Sequence, residues 1–405
     1  MSGRPRRPQW LGPVAIISLA QLFGTSLWFS ANSATDGLMR DWGADAADIG
    51  WLTNAVQAGF IIGTLAISLG GIADRFRASA IFVVSALVGA AANAAFAWLA
   101  HDVSSGAAMR FVVGLSLAGI YPIGMKLIVS WEPQRTGPAL ALLVAMLTLG
   151  TALPQLLRAS GGDLSWQWIV TASSLLALVG AAMIRALGDG PHLAAPVAGS
   201  ARVRPAAVLA AFRIPQYRAA ATGYFGHMWE LYAFWTMVPL IVTAADLPAR
   251  FPLLGAAGLT FAIIGIGALG SLIGGRLSRV LGSAPVALGA LSLSGASILV
   301  FALFWQVLPA AALLVVLLVW GASVVADSPH FSALSATACP RALIGAALAI
   351  QNAIGFSISM VSISGATLLY DRVGPLAVWL LVPGPIAGLV GYAIARRGGH
   401  SGDGA

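Results

Sequence analysis

The chain has 405 residues, of which 59% are hydrophobic and 9% charged; its mean hydropathy is +0.88 and its formal charge +8. That composition excludes a water-soluble globular protein and makes lipid the solvent for most of the chain. The arginines stand singly between apolar runs and form no stripe along a face, which excludes nucleic acid as a partner and reads as membrane topology.

The apolar stretches run for about 20 residues or more, where a transmembrane β-strand would need about ten with strict alternation, so the chain is read as helical. Its 47 glycines, with Ala and Ser inside the apolar runs, suit helices that pack closely in lipid. The single cysteine, Cys339, beside Pro340 and Arg341, has no partner for an intramolecular disulfide.

Cutting at charges, prolines and polar clusters predicts an all-α membrane protein of twelve transmembrane helices in two groups of six. The first group covers 12–34, 49–69, 79–100, 104–130, 137–157 and 166–187. The second covers 216–243, 253–275, 283–305, 308–334, 343–368 and 375–395. An N-terminal six-helix bundle is therefore expected over 1–187, a flexible linker rich in Pro, Ala, Gly and Arg over 188–215, and a C-terminal six-helix bundle over 216–405.

Arg4, Arg6 and Arg7 lead into a first apolar stretch without a small-residue cleavage site, so that segment is expected to stay as a helix. In span one, Gln21, Thr25, Trp28, Phe29 and Asn32 recur at helical spacing on one face. They line a cavity or pack against a neighbouring helix. Asn54 and Gln57 in span two, with Gln351 and Asn352 in span eleven, read as interhelical hydrogen bonds.

Span four carries Arg110 and, eleven residues on, Tyr121 near the same face. An arginine inside a membrane costs at least about 2.5–3.5 kcal/mol unless it reaches water, a carboxylate or backbone carbonyls. Arg110 is therefore either an anchor for an anionic or polar solute or a cap on neighbouring helices. Lys126, lying deeper, is expected to snorkel to the cytoplasm.

Span seven carries His227 and Glu230 at i, i+3, with Tyr232 and Trp235 following. A carboxyl in a low-dielectric site favours its protonated form, and changing hydration between two states would move that balance. Glu230 is the expected proton carrier; the competing reading is a structural pair with His227 or an arginine. Span ten repeats the pattern with Asp327 and His330 beside Pro329, as candidates for proton coupling and for binding or a gate. Pro122 and Pro329 interrupt corresponding spans and are expected to bend gating helices.

With both termini inside, seventeen of the 22 basic residues fall on the cytoplasmic side and the acids Asp36, Asp41, Asp45, Asp48, Asp102, Asp163, Asp246 and Asp371 on the other. The two groups also repeat: Tyr121-Pro122 meets Ser328-Pro329, and Pro133 meets Pro340, at a displacement of 207 residues. Parallel repeats with matching interruptions point to a central site between halves.

The loop after span two reads Gly70, Gly71, Ile72, Ala73, Asp74, Arg75, Phe76, Arg77, and span four places Gly114 four residues after Arg110. These residues resemble the major facilitator superfamily, whose corresponding loop reads Gly-x-Leu-Ala-Asp-Arg-x-Gly-Arg-Arg; here Arg77, Ala78 and Ser79 depart from it. The runs Gly226–Trp235 and Ala326–Ser332 resemble bacterial members grouped near nitrate, nitrite and cyanate permeases. The resemblance implies a central cavity lined by spans one, four, seven and ten. That makes Gln21, Trp28, Phe29, Asn32, Arg110, Tyr121, Tyr232, Trp235 and His330 candidates for substrate binding. It also implies a cytoplasmic gate at Asp74 and Arg75.

The expected activity is secondary transport of a small polar or anionic solute across the inner membrane by alternating access, proton-coupled through Glu230, His227 and Asp327. The expected partners are the solute, protons and membrane lipids, and the expected state is a monomer without cofactor or metal. Proton antiport of drugs is the alternative; span five reads Gly150-Thr151-Ala152-Leu153-Pro154 where drug antiporters carry Gly-Pro-x-x-Gly-Gly. A non-transporting sensor and a membrane-embedded enzyme are further readings. No Walker loop, HExxH or GxSxG element is present in the sequence, which excludes ATP-driven transport and disfavours an enzyme.

Overall fold

The computed structural model describes residues 12–162, 164–193, 210–340 and 343–400. Arg4, Arg6, Arg7, Asp163, Arg202, Arg204, Arg341 and most of the expected linker lie outside the described residues.

The first group of helices comprises α1 (Pro13–Thr25), α2 (Thr35–Trp42), α3 (Ala46–Leu69), α4 (Ile72–Arg75), α5 (Ala78–Leu99), α6 (Val103–Ala118), α7 (Tyr121–Trp131), α8 (Thr136–Ser160) and α9 (Trp166–Leu187). The second comprises α10 (Pro215–Ala244), α11 (Leu247–Arg250), α12 (Gly255–Gly265), α13 (Gly267–Leu281), α14 (Ser283–Phe304), α15 (Ala310–Ala326), α16 (Ser328–Ala338), α17 (Ile344–Val373) and α18 (Pro383–His400). Nine stretches of the described helices are long and apolar enough to cross a membrane, one of them running from Ile344 to Arg397 through both α17 and α18. Grouped by continuity, the helices follow the predicted segments closely. Span one is α1 plus turns, span four is α6 with α7, span eight is α12 with α13, and span ten is α15 with α16.

The breaks have local causes. Pro122 and Pro329 each sit in the first turn of the second helix of their span, where a missing N–H costs nothing but the preceding helix cannot run through. Helix α1 stops at Thr25, and residues 26–31 continue as turns to a short 3₁₀ segment, Asn32–Ala34. Gly71 takes φ +68, a left-handed conformation that lets the chain turn from α3 into α4.

Two ends of the bundle differ in charge. At the acidic end Asp45 and Asp102 form capping boxes with Asp48 and Ser105 at the starts of α3 and α6. The Ser105 backbone N–H and hydroxyl, assisted by the Ser104 N–H and His101, hold the Asp102 carboxyl below its usual range, although slight burial opposes them. Arg158 there binds Asp36 and the carbonyl of Ser33. At the basic end Asp189 accepts from Arg77 Nε at 3.1 Å and from the Ser79 backbone N–H at 2.7 Å. Burial, its largest single influence, raises the Asp189 pKa, but the Ser79 N–H, Arg77 and the Ser79 hydroxyl outweigh it and leave the carboxyl below its usual range.

The repeat seen in the sequence returns in the packing. A Cβ on Gly114 would stand 2.0 Å from the Val56 carbonyl oxygen, and one on Gly321 would stand 1.9 Å from that of Ile263. Likewise Gly63 faces the carbonyl of Leu115, and Gly270 that of Ala322. Every residue of the first set is 207 positions from its counterpart in the second. Span two thus touches span four, and span eight span ten, backbone against backbone. In lipid, where no hydrophobic effect drives helices together, such close approach supplies the dispersion contacts that do. Between the two groups, span two packs on span eleven, with Gly50 under Thr367, and span five packs on span eight, with Gly267 against Thr148.

Candidate functional site

Where the two groups meet at mid-depth, six buried rings form one cluster. Trp28 and Phe29 come from the turns after α1, Phe60 from α3, Tyr232 and Trp235 from α10, and Phe356 from α17. The ring centroids of Trp28 and Tyr232 are 5.6 Å apart and those of Trp28 and Phe356 5.8 Å, both pairs with planes inclined by 21°. Phe60 lies 4.6 Å from Phe356, and Phe29 meets Trp235 edge-on at 5.8 Å. Aromatic pairs favour these offset and edge-on arrangements. Tyr121 and Tyr224 lie within electrostatic reach of Tyr232.

Polar groups around the cluster are only partly used. Trp28 Nε1 donates to Gln57 Oε1 at 3.3 Å. Gln57 Nε2, Trp235 Nε1 and both amide atoms of Gln21 and of Gln351 are buried without a hydrogen-bond partner. Groups of this kind are rarely left so without a reason. Gln21 points at Gly124 of α7, and Gln351 stands one turn from Gly355, which packs on Tyr224 and Met228. The expectation that the amides of spans two and eleven simply join helices holds for Asn54, which donates to Met360 O and to Ser364 Oγ at 2.7 Å. Gln351 makes no such bond.

Arg110 is wholly buried in α6, and span four breaks between it and Tyr121, the first residue of α7. Its Nη1 donates to Asn93 Oδ1 at 2.6 Å and Ser30 Oγ at 3.0 Å, and its Nη2 to the carbonyls of Leu27 and Trp28. Phe96 covers its face at 5.7 Å. Asn32 donates to Thr53 Oγ1 at 2.9 Å.

Inside the second group, Glu230 accepts from Trp320 Nε1 at 2.6 Å and Ser294 Oγ at 2.9 Å. One turn away, His227 Nδ1 lies 2.7 Å from Asp327 Oδ1, an ion-pair distance off the line of a good hydrogen bond, with both side chains fully buried. His330 Nε2 faces Gly274 without a partner. His227 and Glu230 look into spans nine and ten, whereas Tyr232 and Trp235 look into the central cluster. The structure therefore brings the candidates together as two neighbouring sets. Asp74, which stands next to Arg75 at the expected gate, is paired with Lys126 Nζ at 3.2 Å, and Lys126 also reaches the carbonyl of Ala73.

Phe60, Gln57 and Phe356 were not among the residues singled out for binding. A signal was present for the ring cluster: Trp28 and Trp235 are themselves 207 positions apart, the displacement of the repeat.

A model of the Major Facilitator Superfamily matches residues 15–364. Among curated proteins, the niacin transporter NiaP of Acinetobacter baylyi is 33% identical over 114 residues, covering 28% of this chain and 25% of that protein. The 4-hydroxybenzoate transporter PcaK of Pseudomonas aeruginosa is 29% identical over 177 residues, covering 41% of this chain and 38% of that protein. The matched regions thus span well under half of either relative. Two structures of the xylose transporter XylE from E. coli, described as partially occluded inward open and inward open, superpose with TM-scores of 0.72 at 12% identity. Each covers 95% of this chain, which itself covers 98% and 94% of those chains, respectively, and the likeness is one of fold. The chain belongs to the major facilitator superfamily and is a multi-pass membrane protein.

Proposed function

We propose that this protein is a secondary, proton-coupled symporter that moves a small polar or anionic organic solute by alternating access. The observation that carries the reading is the ring cluster: Trp28, Phe29 and Phe60 from one half close on Tyr232, Trp235 and Phe356 from the other. A site built from both halves is opened to either side when they rock, as the family's parallel repeats allow. The halves are 1–187 and 216–405, joined by the linker 188–215, with both termini in the cytoplasm of a bacterial inner membrane. On that orientation the basic end carrying Arg77, Lys126 and Asp189 is cytoplasmic.

Niacin and 4-hydroxybenzoate, named for the two relatives, are single-ring acids, and a solute of that size suits six rings at the centre. Proton coupling rests on Glu230 and the His227–Asp327 pair, ionisable groups that a bilayer retains at high cost. Pro122 and Pro329 supply the bends at which spans four and ten move, and Asp74 with Lys126 closes the cytoplasmic side.

The test is solute-driven proton movement in proteoliposomes under an imposed pH gradient, comparing wild type with Glu230→Gln over a panel of small acids and polar metabolites. Proton movement in wild type that disappears in the variant supports the reading. Flux with unchanged proton dependence in the variant makes Glu230 structural and removes the coupling mechanism.

A further inference from the structure

The charge of the bound solute is legible from what surrounds the rings. We infer that the slot between Trp28, Tyr232 and Phe356 takes a planar aromatic solute in its uncharged form, an aromatic amide or a protonated acid in preference to a carboxylate. The inference rests on the transport reading above but narrows it on charge, against the acidic solutes named for the relatives.

Three observations carry it. The stacks that close the cluster run between the halves, Trp28 on Tyr232 and on Phe356 with planes inclined by 21°. When the halves part, each loses a ring face, and a flat solute of similar thickness restores both contacts. Secondly, the unpartnered polar atoms on the residues that belong to the cluster or bond to it are neutral donors: the Gln57 amide nitrogen and the Trp235 indole N–H. These donors satisfy a carbonyl oxygen and bring no charge to balance a carboxylate.

Thirdly, the nearby cations are committed elsewhere. Arg110 gives both terminal nitrogens to Leu27 O, Trp28 O, Ser30 and Asn93, its Nε alone lacking a partner; Lys126 is held by Ala73 O and Asp74; His227 faces Asp327. A carboxylate entering the slot would be desolvated among aromatic carbons with the Gln57 oxygen beside Trp28 and no free terminal guanidinium nitrogen or ammonium to meet it, which is costly in a low-dielectric site. An uncharged amide of the same shape carries no such penalty.

The test measures binding to the purified full-length protein in detergent, by calorimetry at pH 7.5, so that it does not depend on flux. The probes are three matched pairs: nicotinamide and nicotinate, benzamide and benzoate, 4-hydroxybenzamide and 4-hydroxybenzoate. At least one amide is expected to bind, with at least tenfold higher affinity than its acid. Trp28→Ala should weaken it at least tenfold, Trp28→Phe should restore most of the loss, and Trp98→Ala, on the exposed surface, should leave it unchanged. Gln57→Leu, which keeps the bulk and removes the amide, should weaken it several-fold and stands in if Trp28→Ala does not fold. If no amide binds, if the acids bind more tightly, or if the Trp28 and Gln57 variants bind as wild type does, the inference is overturned. Proteoliposome flux of any solute with these outcomes leaves the transport reading standing, and amide binding without flux overturns that reading alone.

Discussion

Arg110 donates to the backbone carbonyl of Trp28, so the one wholly buried guanidinium of the described residues holds the stretch of chain that carries the central indole. The same group takes the Leu27 carbonyl, Ser30 and Asn93. Its charge thus positions span one and, with it, the central indole.

Arg110→Leu takes its donor from four acceptors, of which Asn93 Oδ1 still receives Ser30 Oγ, at about 1–3 kcal/mol for each one left unsatisfied. A large fall in the thermal midpoint of the detergent-purified protein is expected, measured by tryptophan fluorescence. Arg110→Lys is expected to recover only a minor part, because one ammonium cannot reproduce the fork that spans two carbonyls and two side chains. A variant as stable as wild type would remove the positioning role.

Gly114→Ala and Gly321→Ala should destabilise to similar degrees, about 1–3 kcal/mol, since each drives a methyl into a carbonyl at the same point of the repeat. Gly289→Ala is the comparison, because its Cβ would meet nothing within 4 Å. Chemical unfolding of the three variants checks the ranking, and loss at only one of the two repeat positions would contradict equivalent packing.

His227→Gln and Asp327→Asn each leave a buried partner uncompensated. The double variant is expected to be more stable than the sum of the single losses implies, with a coupling of about 0.5–3 kcal/mol in a double-mutant cycle. In proteoliposomes both single variants should uncouple uptake from the pH gradient. Additive stability effects with intact coupling would make the pair incidental.

The Asp189 carboxyl lies below its usual range, so the stabilisation from its contacts with Arg77 and Ser79 is complete above the unfolded value of about 3.9 and is lost only as pH falls through the lower folded value. Hydrogen exchange at the Gly190 and His192 amides, which bind Ser130, reports on this clamp. After correction for intrinsic rates, protection should be constant from pH 8 to pH 5 in wild type and several-fold lower throughout in Asp189→Asn. Protection that falls between pH 7 and pH 5 would contradict the sign.

The spans were readable because their signals are local. Runs of apolar residues end at Pro215, Gly188 and the Asp45 and Asp102 caps, and the structure follows those marks within a few residues. The repeat was equally plain, since Pro122 and Pro329 interrupt corresponding helices. What escaped was direction. Helical spacing put Arg110 and Tyr121 on one face but could not show that the guanidinium is taken up by Asn93, Ser30 and the carbonyls of Leu27 and Trp28. Spacing likewise joined Glu230 to Tyr232 on one helix without showing that the carboxyl turns toward Trp320 and the ring toward Trp28. Phe60 and Phe356 are ordinary apolar residues in sequence, and only the approach of spans two and eleven makes them neighbours.

Helix α1 has 13 residues, which at 1.5 Å each reach about 20 Å, short of a hydrocarbon layer of about 30 Å. The rest of the first crossing is made by turns whose carbonyls are satisfied by Arg110, by Arg158 and by Gln155. Irregular backbone at that depth is stable only while acyl chains are kept from it. Spans three to six must therefore already be in place before this stretch can take its final form, so span one finishes folding after spans that follow it in the chain.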